Sequence, residues 1–320
     1  MKKIFTLLVA VAMMATVLTG CGGGSKSELK FTTGGDQGTY YGFGSVLAGQ
    51  VSSSTDTTVT AITSGGSQAN IESMSVGDAQ LGFTQSDVMS YAYTGTNLFA
   101  EKGAVTSFST VAALYMEQVQ IVTLNPEIKS VADLAGKTVS VGDAGSGTYY
   151  NAVDILGVYG LDVEKDITPV YESFGTSAES LQDGKIDAAF VVAGAPTTAI
   201  TSLAATKDVY LVSLDEEHIT ALREKSPYYT LNNISADAYG TPEDVTTVAV
   251  GAVVIANDDV SEADVYNFVS GIYENLETIT TSHAKGAELT LEFASSVTDV
   301  PYHAGAAKYF AEKGITVPTK

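Results

Sequence analysis

Three stretches of this chain repeat one local design, and they limit what it can fold into more than any other feature. Val141-Gly142-Asp143-Ala144-Gly145-Ser146-Gly147-Thr148-Tyr149-Tyr150 reads as the end of a buried strand, a glycine turn and a helix opening at Gly147-Thr148. Gly34-Gly35-Asp36-Gln37-Gly38-Thr39-Tyr40-Tyr41 and Thr63-Ser64-Gly65-Gly66-Ser67-Gln68 follow the same plan: strand, glycines, small hydroxyl residue, helix. The first amides of a helix have no intrahelical acceptor, and the aligned peptide dipoles place partial positive charge on them. Glycines let a ligand approach that backbone closely, so each turn is a candidate anion cradle. Together they predict a two-lobed protein that closes these turns around a small solute.

The rest of the chain fits that plan. From Leu29 onward, strand-like and helical segments alternate, which points to parallel or mixed sheets covered by helices. The segments 29–33, 58–63, 79–84, 108–115 and 118–124 read as strands, followed by a similar series from 138 to 214. Asp78-Ala79 and Asp187-Ala188 both stand before a buried strand, as a pair of lobes built on one plan requires. The polar segment 216–244 resists assignment. Val245–Ala256 is a long β-branched run read as a strand returning to the first lobe, and 261–280 as one amphipathic helix. The expected division is residues 29–116 and 251–320 in lobe one and 117–250 in lobe two, with hinges where the chain crosses near 116 and 250.

The N-terminus reads as an export signal. Lys2-Lys3 precede an apolar run of 15 residues, Ile4–Leu18, broken only by two threonines. A membrane-spanning helix needs about 20 residues. The run ends at Leu18-Thr19-Gly20-Cys21, which resembles a bacterial lipoprotein processing box, with cleavage before Cys21 and lipid attached to it. Cys21 is the only cysteine, which excludes an internal disulfide. Residues 1–20 are therefore expected to be a signal peptide and 21–28 a flexible tether, leaving a lipid-anchored body outside the cytoplasmic membrane. The net charge of −21 disfavours nucleic acid and anionic membrane surfaces as partners. Arg223 is the only arginine, so a guanidinium clamp on a carboxylate exists at one position at most.

The ordered set Gly38-Thr39-Tyr40-Tyr41, Thr63–Ser67, Gln85-Ser86-Asp87, Gly145-Ser146-Gly147-Thr148 and Pro301–Ala306 resembles the TAXI-type solute receptors (TRAP-associated extracytoplasmic immunogenic proteins) over about residues 29–315. That resemblance implies an α/β, two-lobed periplasmic-binding-protein fold of type II, with two mixed sheets flanked by helices and two crossing hinge strands. It implies a monomeric receptor that hands a small amino acid or organic anion, such as glutamate or glutamine, to a TRAP permease. Carried over position by position, it gives a ligand site of Gly38, Thr39, Tyr40, Ser64, Gly66, Ser67, Gln85 and Asp87 from lobe one. Lobe two supplies Ser146, Gly147, Thr148, Tyr149, Gly194 and Pro196. Two positions depart from the family pattern: Ala304 stands where a proline is common, and Tyr149 where an acidic residue is common.

Other readings stay open at this point. The same fold also serves ABC importers and sensor kinases. Asp87 either meets ligand or caps the helix after Ser86, and Asp36 reads as a solvated turn residue. Enzyme signatures are incomplete. Gly65-Gly66-Ser67-Gln68-Ala69 lacks the final glycine of a nucleophile elbow, and Gly136-Lys137-Thr138 lacks the first glycine of a phosphate loop. No Cys/His spacing suggests zinc, and no cofactor is expected.

Overall fold

The computed structural model describes residues 26–320. The signal peptide expected over 1–20, the anchor cysteine Cys21 and most of the tether lie outside the described residues. Ser27 and Glu28, expected in the tether, belong instead to a strand, because they pair with Thr57 and Thr58.

The strands are β1 (Ser27–Thr32), β2 (Thr57–Ile62), β3 (Leu81–Gln85), β4 (Phe108–Thr123), β5 (Thr138–Ser140), β6 (Thr168–Val170), β7 (Ala188–Ala193), β8 (Tyr210–Leu211), β9 (Thr230–Ile234) and β10 (Val245–Asn257). The helices of the first half are α1 (Thr39–Ser54), α2 (Ser67–Ser75), α3 (Ser86–Thr94), α4 (Gly147–Val158), α5 (Phe174–Gln182) and α6 (Thr198–Ala204). The remainder are α7 (Glu216–Lys225), α8 (Glu262–Tyr273), α9 (Leu276–Ser282), α10 (Leu291–Ala294) and α11 (Ala304–Glu312).

One hydrogen-bonded sheet runs through the molecule in the order β2-β1-β3-β10-β4-β7-β5-β6, with β8 beside β4 and β9 beside β10. Sheets for the two lobes are thus joined without a break, because β4 and β10 pair antiparallel between Phe108–Gln118 and Ala249–Asn257, β10 carries β3 at one end and β9 at the other, and β4 runs on to pair with β7 and β8. The outer strands β1–β2 and β5–β6 pair in parallel, each after a right-sized helical crossover. Register shifts between Ala252 and Val253 and between Val254 and Ile255 bend the central pair. Segments 108–115 and 118–124, expected as two strands, form one. Glu117 interrupts the apolar pattern, but its backbone still pairs with Val250.

The cores divide on either side of this crossing. One cluster takes residues from Leu29 to Tyr115 and from Ala252 to Val317. Two others lie between Val119 and Val250. On β7, Phe190 and Val192 enter one of these, while Ala189, Val191 and Ala193 enter the other, as the period of a strand requires. The helix expected over 261–280 is two helices, α8 and α9. Asn275 leaves helical geometry with φ −129°, and its side-chain amide donates to Gly271 O at 2.9 Å, competing with the backbone ladder. The segment 216–244 contains α7, opened by Asp215 accepting from His218 N, and β9, the outer neighbour of β10. Among the described residues, no helix is long and apolar enough to cross a membrane.

Candidate ligand site between the lobes

Four helix starts meet at the junction of the lobes. α1 follows the Gly34–Gly38 turn, in which Gly38 N donates to Gly35 O at 3.0 Å. α2 follows Gly66, whose φ of +106° and ψ of −156° suit glycine alone. Neither helix has a side-chain cap, which leaves the amides of Thr39 and Tyr40 in α1 and of Ser67 and Gln68 in α2 open. α4 and α5 open from the facing lobe. Ser146 accepts from Tyr149 N, and Ser173 accepts from Thr176 N, both at 3.3 Å. Gly142 (φ +90°) leaves room that a Cβ would deny, since that atom would lie 2.7 Å from Thr148 Cβ.

The four starts enclose a cavity of about 50 Å³. Gly38, Thr39, Tyr40, Ser64, Gly66, Ser67 and Gln85 line it from lobe one, and Ser146, Gly147 and Thr148 from lobe two. The sequence reading did not include Glu117, Ser173, Phe174, Val192 or Ala193, which line it too. The lobes are shut around this space. Ala69 N donates to Gly145 O at 3.1 Å, Thr39 Oγ1 to Gly194 O at 2.9 Å, Ala199 N to Gln37 O at 3.2 Å and Tyr150 OH to Gln68 Oε1 at 2.9 Å. A Cβ on Gly147 would stand 1.8 Å from Gln85 Oε1, so this glycine admits the glutamine side chain from across the cleft.

The cavity contains open acceptors and no fixed cation. Gln85 is buried, and among the described residues its Oε1 has no hydrogen-bond partner. Glu117 is 2% exposed, and its Oε2 accepts from Tyr40 OH at 2.7 Å. Burial pushes the Glu117 carboxyl up to about 8, and the nearby Asp87 charge adds to the effect. Among the described residues, no lysine or arginine lines the cavity. Arg223 is exposed on α7. An anion here would be held by backbone amides, hydroxyls and helix dipoles. Among the described residues, no group of three or more His, Cys, Asp or Glu could hold a metal ion.

Four residues of the expected site stand elsewhere. Asp87 belongs to a second polar junction: its Oδ1 accepts from Val88 N at 2.8 Å, and its Oδ2 from Asn151 Nδ2 at 3.0 Å. Asn151 Nδ2 also meets Tyr229 OH (2.8 Å), Tyr229 OH donates to Asp154 Oδ2 (3.1 Å), and Lys225 Nζ donates to Asp154 Oδ1 (2.8 Å). Burial pushes the Asp87 carboxyl up to about 6. Tyr149 lies two residues into α4, turned away from the cavity and packed against Tyr150, Tyr171 and the lobe-two core. Gly194 offers its carbonyl to Thr39, and its α-carbon is covered by the Lys285 side chain. Pro196 is exposed on the turn after β7. His303 caps α11, accepting from Gly305 N at 3.2 Å, and Asp36 is exposed.

Of the residues missed, Glu117 had one signal, a lone carboxylate inside an apolar strand run. Phe174 had none. It reaches the cavity because α5 opens opposite α1, with its ring 3.4 Å from where a Gly38 Cβ would be.

Two lobes sharing a curled mixed sheet, with helix starts facing each other across the junction, define the periplasmic solute-binding-protein fold. This chain belongs to the NMT1-like family, whose model matches residues 31–314. Among solved structures, it is similar to the alkanesulfonate-binding protein SsuA from Xanthomonas axonopodis pv. citri bound to MOPS. That match has 14% identity and a TM-score of 0.51, over 90% of this chain and 91% of that one. A protein from Bordetella bronchiseptica RB50 matches at 15% identity and a TM-score of 0.55, over 90% of this chain and 89% of the other. Identities this low establish a common fold and leave function to be argued from the site.

Proposed function

We propose that this protein is an extracytoplasmic solute-binding receptor of an ABC-type importer. It captures one small anion, an amino acid or an organic carboxylate or sulfonate, in the closed junction of its lobes. The observation that carries this reading is the convergence of four helix starts from both lobes on one cavity with no basic side chain in its lining. Residues 29–116 with 251–320 move against 117–250, bending at β4 and β10 and burying the solute on closure. Cys21 carries the lipid anchor, and the receptor works as a monomer, without cofactor or catalysis.

The NMT1-like match and the likeness to SsuA favour an ABC importer as partner. Delivery to a TRAP permease, or to a sensor kinase, uses the same receptor, and the ordered turns alone support the TRAP reading. Reconstituted uptake separates the first two: the proposal expects it to require ATP, and uptake driven by an ion gradient alone assigns the receptor to TRAP. Ligand capture is tested by thermal shift and calorimetry against amino acids, dicarboxylates and alkanesulfonates. A binder raises the melting temperature progressively with its concentration. A panel in which none shifts the transition overturns the ligand class.

A further inference from the structure

Glu117 is out of place for a cavity that attracts anions through four helix starts. It sits on the crossing strand β4 at the floor of that cavity, almost fully buried. One oxygen, Oε2, is taken by the Tyr40 hydroxyl. Among the described residues the other, Oε1, has no hydrogen-bond partner, and it is not sealed inside the protein as Gln85 Oε1 is. We propose that Glu117 contacts the captured solute as a neutral acid, its proton on Oε1 aimed into the cavity and donated to the solute's anionic group. The inference rests on the receptor reading above and adds to it that capture carries a proton.

Burial and the negative charge of Asp87 favour the neutral form and outweigh the Tyr40 hydrogen bond and the Lys285 charge, which favour the ionised one. Tyr40 on α1 and Tyr115 on β4 are buried and hold their own protons well above the usual tyrosine range, so Tyr40 remains the donor to Oε2. Lys285, in the turn 284–288, pairs with Glu288 at 2.5 Å and lies 5.6 Å from the Tyr115 ring centre, so its ammonium bonds another carboxylate and acts on Glu117 only through space, lowering its pKa. Asp87 at the start of α3 adds negative charge, which opposes ionisation of Glu117. A charged Glu117 would repel the anion that the helix starts attract. A protonated one adds a hydrogen-bond donor to theirs.

The sign of the pH dependence follows. If the bound state requires the proton, affinity is steady while Glu117 is protonated in the free protein and falls once it ionises. With the carboxyl held at about 8, affinity at pH 9 is about tenfold weaker than at pH 7. The test is calorimetry of the mature chain with succinate, L-glutamate and methanesulfonate at both pH values, in buffers of different ionisation enthalpy. The expected result is the tenfold loss at pH 9 with uptake of close to one proton there, and little uptake at pH 7. Glu117→Gln, which keeps a donor, loses the pH dependence, whereas Glu117→Ala also binds weakly at pH 7. Affinity that rises with pH, or proton release, overturns the proposal and assigns Glu117 to a cationic group of the solute. If none of the three probes binds, the receptor's ligand class fails separately. The Glu117 proposal is then judged on the unliganded wild-type protein by carbon-13 NMR of labelled glutamate carboxyls. The resonance absent from Glu117→Gln is expected to titrate above pH 7, and titration in the ordinary glutamate range overturns it.

Discussion

Two polar junctions hold the lobes together, and they differ in what they leave unfilled. At the Asp87–Asn151–Tyr229–Asp154–Lys225 junction the chain bonds almost entirely to itself, and among the described residues Asn151 Oδ1 is the one buried side-chain atom there without a partner. At the cavity, uncapped helix starts and one oxygen of Glu117 face a space left open among the described residues. A buried polar group left without a partner costs free energy, so the filled junction acts as a latch and the unfilled one as a site that a solute completes. Both contain a helix start from lobe one and a buried carboxylate.

That difference can be erased most completely at Gly147. Valine there drives side-chain carbon into Gln85 and toward Ser67 Oγ, so the cavity fills and the lobes are held apart. Solute affinity is expected to fall by about 100-fold or more, a loss of roughly 3 kcal/mol. Calorimetry measures that loss, and small-angle scattering shows a larger radius of gyration. Unchanged affinity would remove the cavity from the account.

The latch is broken at Asn151. Leucine in its place strips Asp87 Oδ2 of its donor and removes a partner of the Tyr229 hydroxyl inside the protein. The expected cost is about 1–3 kcal/mol, seen as a lower melting temperature and about tenfold weaker solute binding, because the closed form loses its second contact. A variant that melts lower but binds as before would make the network internal support and no latch.

The latch also has its own pH signature. Asp87 is raised to about 6 in the folded protein, above its ordinary value of 3.8. Between those two pH values, the folded protein holds a proton that the unfolded chain has released, so this group's contribution to stability falls as pH rises through that window. Asp87→Asn removes the effect, and its melting temperature is expected to gain on wild type as pH rises from 4 to 6. Parallel curves would show that Asp87 ionises normally.

The smallest effect is expected in the cavity lining, at Thr39→Val. Its hydroxyl donates across the cleft to Gly194 O, which Thr197 Oγ1 also reaches at 3.2 Å. Losing one of two donors should cost about 0.5–1.5 kcal/mol, a few-fold in affinity by calorimetry. No change would show that Thr39 contributes shape alone.

How much of this was legible in the chain follows from how local each signal is. The glycine–hydroxyl turns were readable because backbone conformation, close approach and helix start are all encoded within a few residues, and those turns do line one cavity. Tyr149 was adjacent in sequence but lies a third of a helical turn from Thr148, enough to face the core. Asp87 had two readings open, ligand or cap. Its Oδ1 takes an amide of the first turn of α3, from Val88 N, and its Oδ2 meets Asn151, which is distant in sequence and arrives only when the lobes meet. Glu117 broke an apolar pattern and so suggested a gap between strands. The pairing of β10 against it made that stretch continuous and turned the carboxylate into the cavity floor. The segment 216–244 was illegible because β9 is largely exposed and carries little of the apolar pattern that marks a strand.

The central claim is that the unfilled junction is a solute site. Native mass spectrometry of the mature wild-type protein, mixed with amino acids, dicarboxylates and alkanesulfonates and compared with Gly147→Val, tests it most directly. The expected result is one small anion bound per wild-type chain, released on denaturation and absent from the variant. Wild-type protein that stays bare throughout, or binding equal in both proteins, would contradict it.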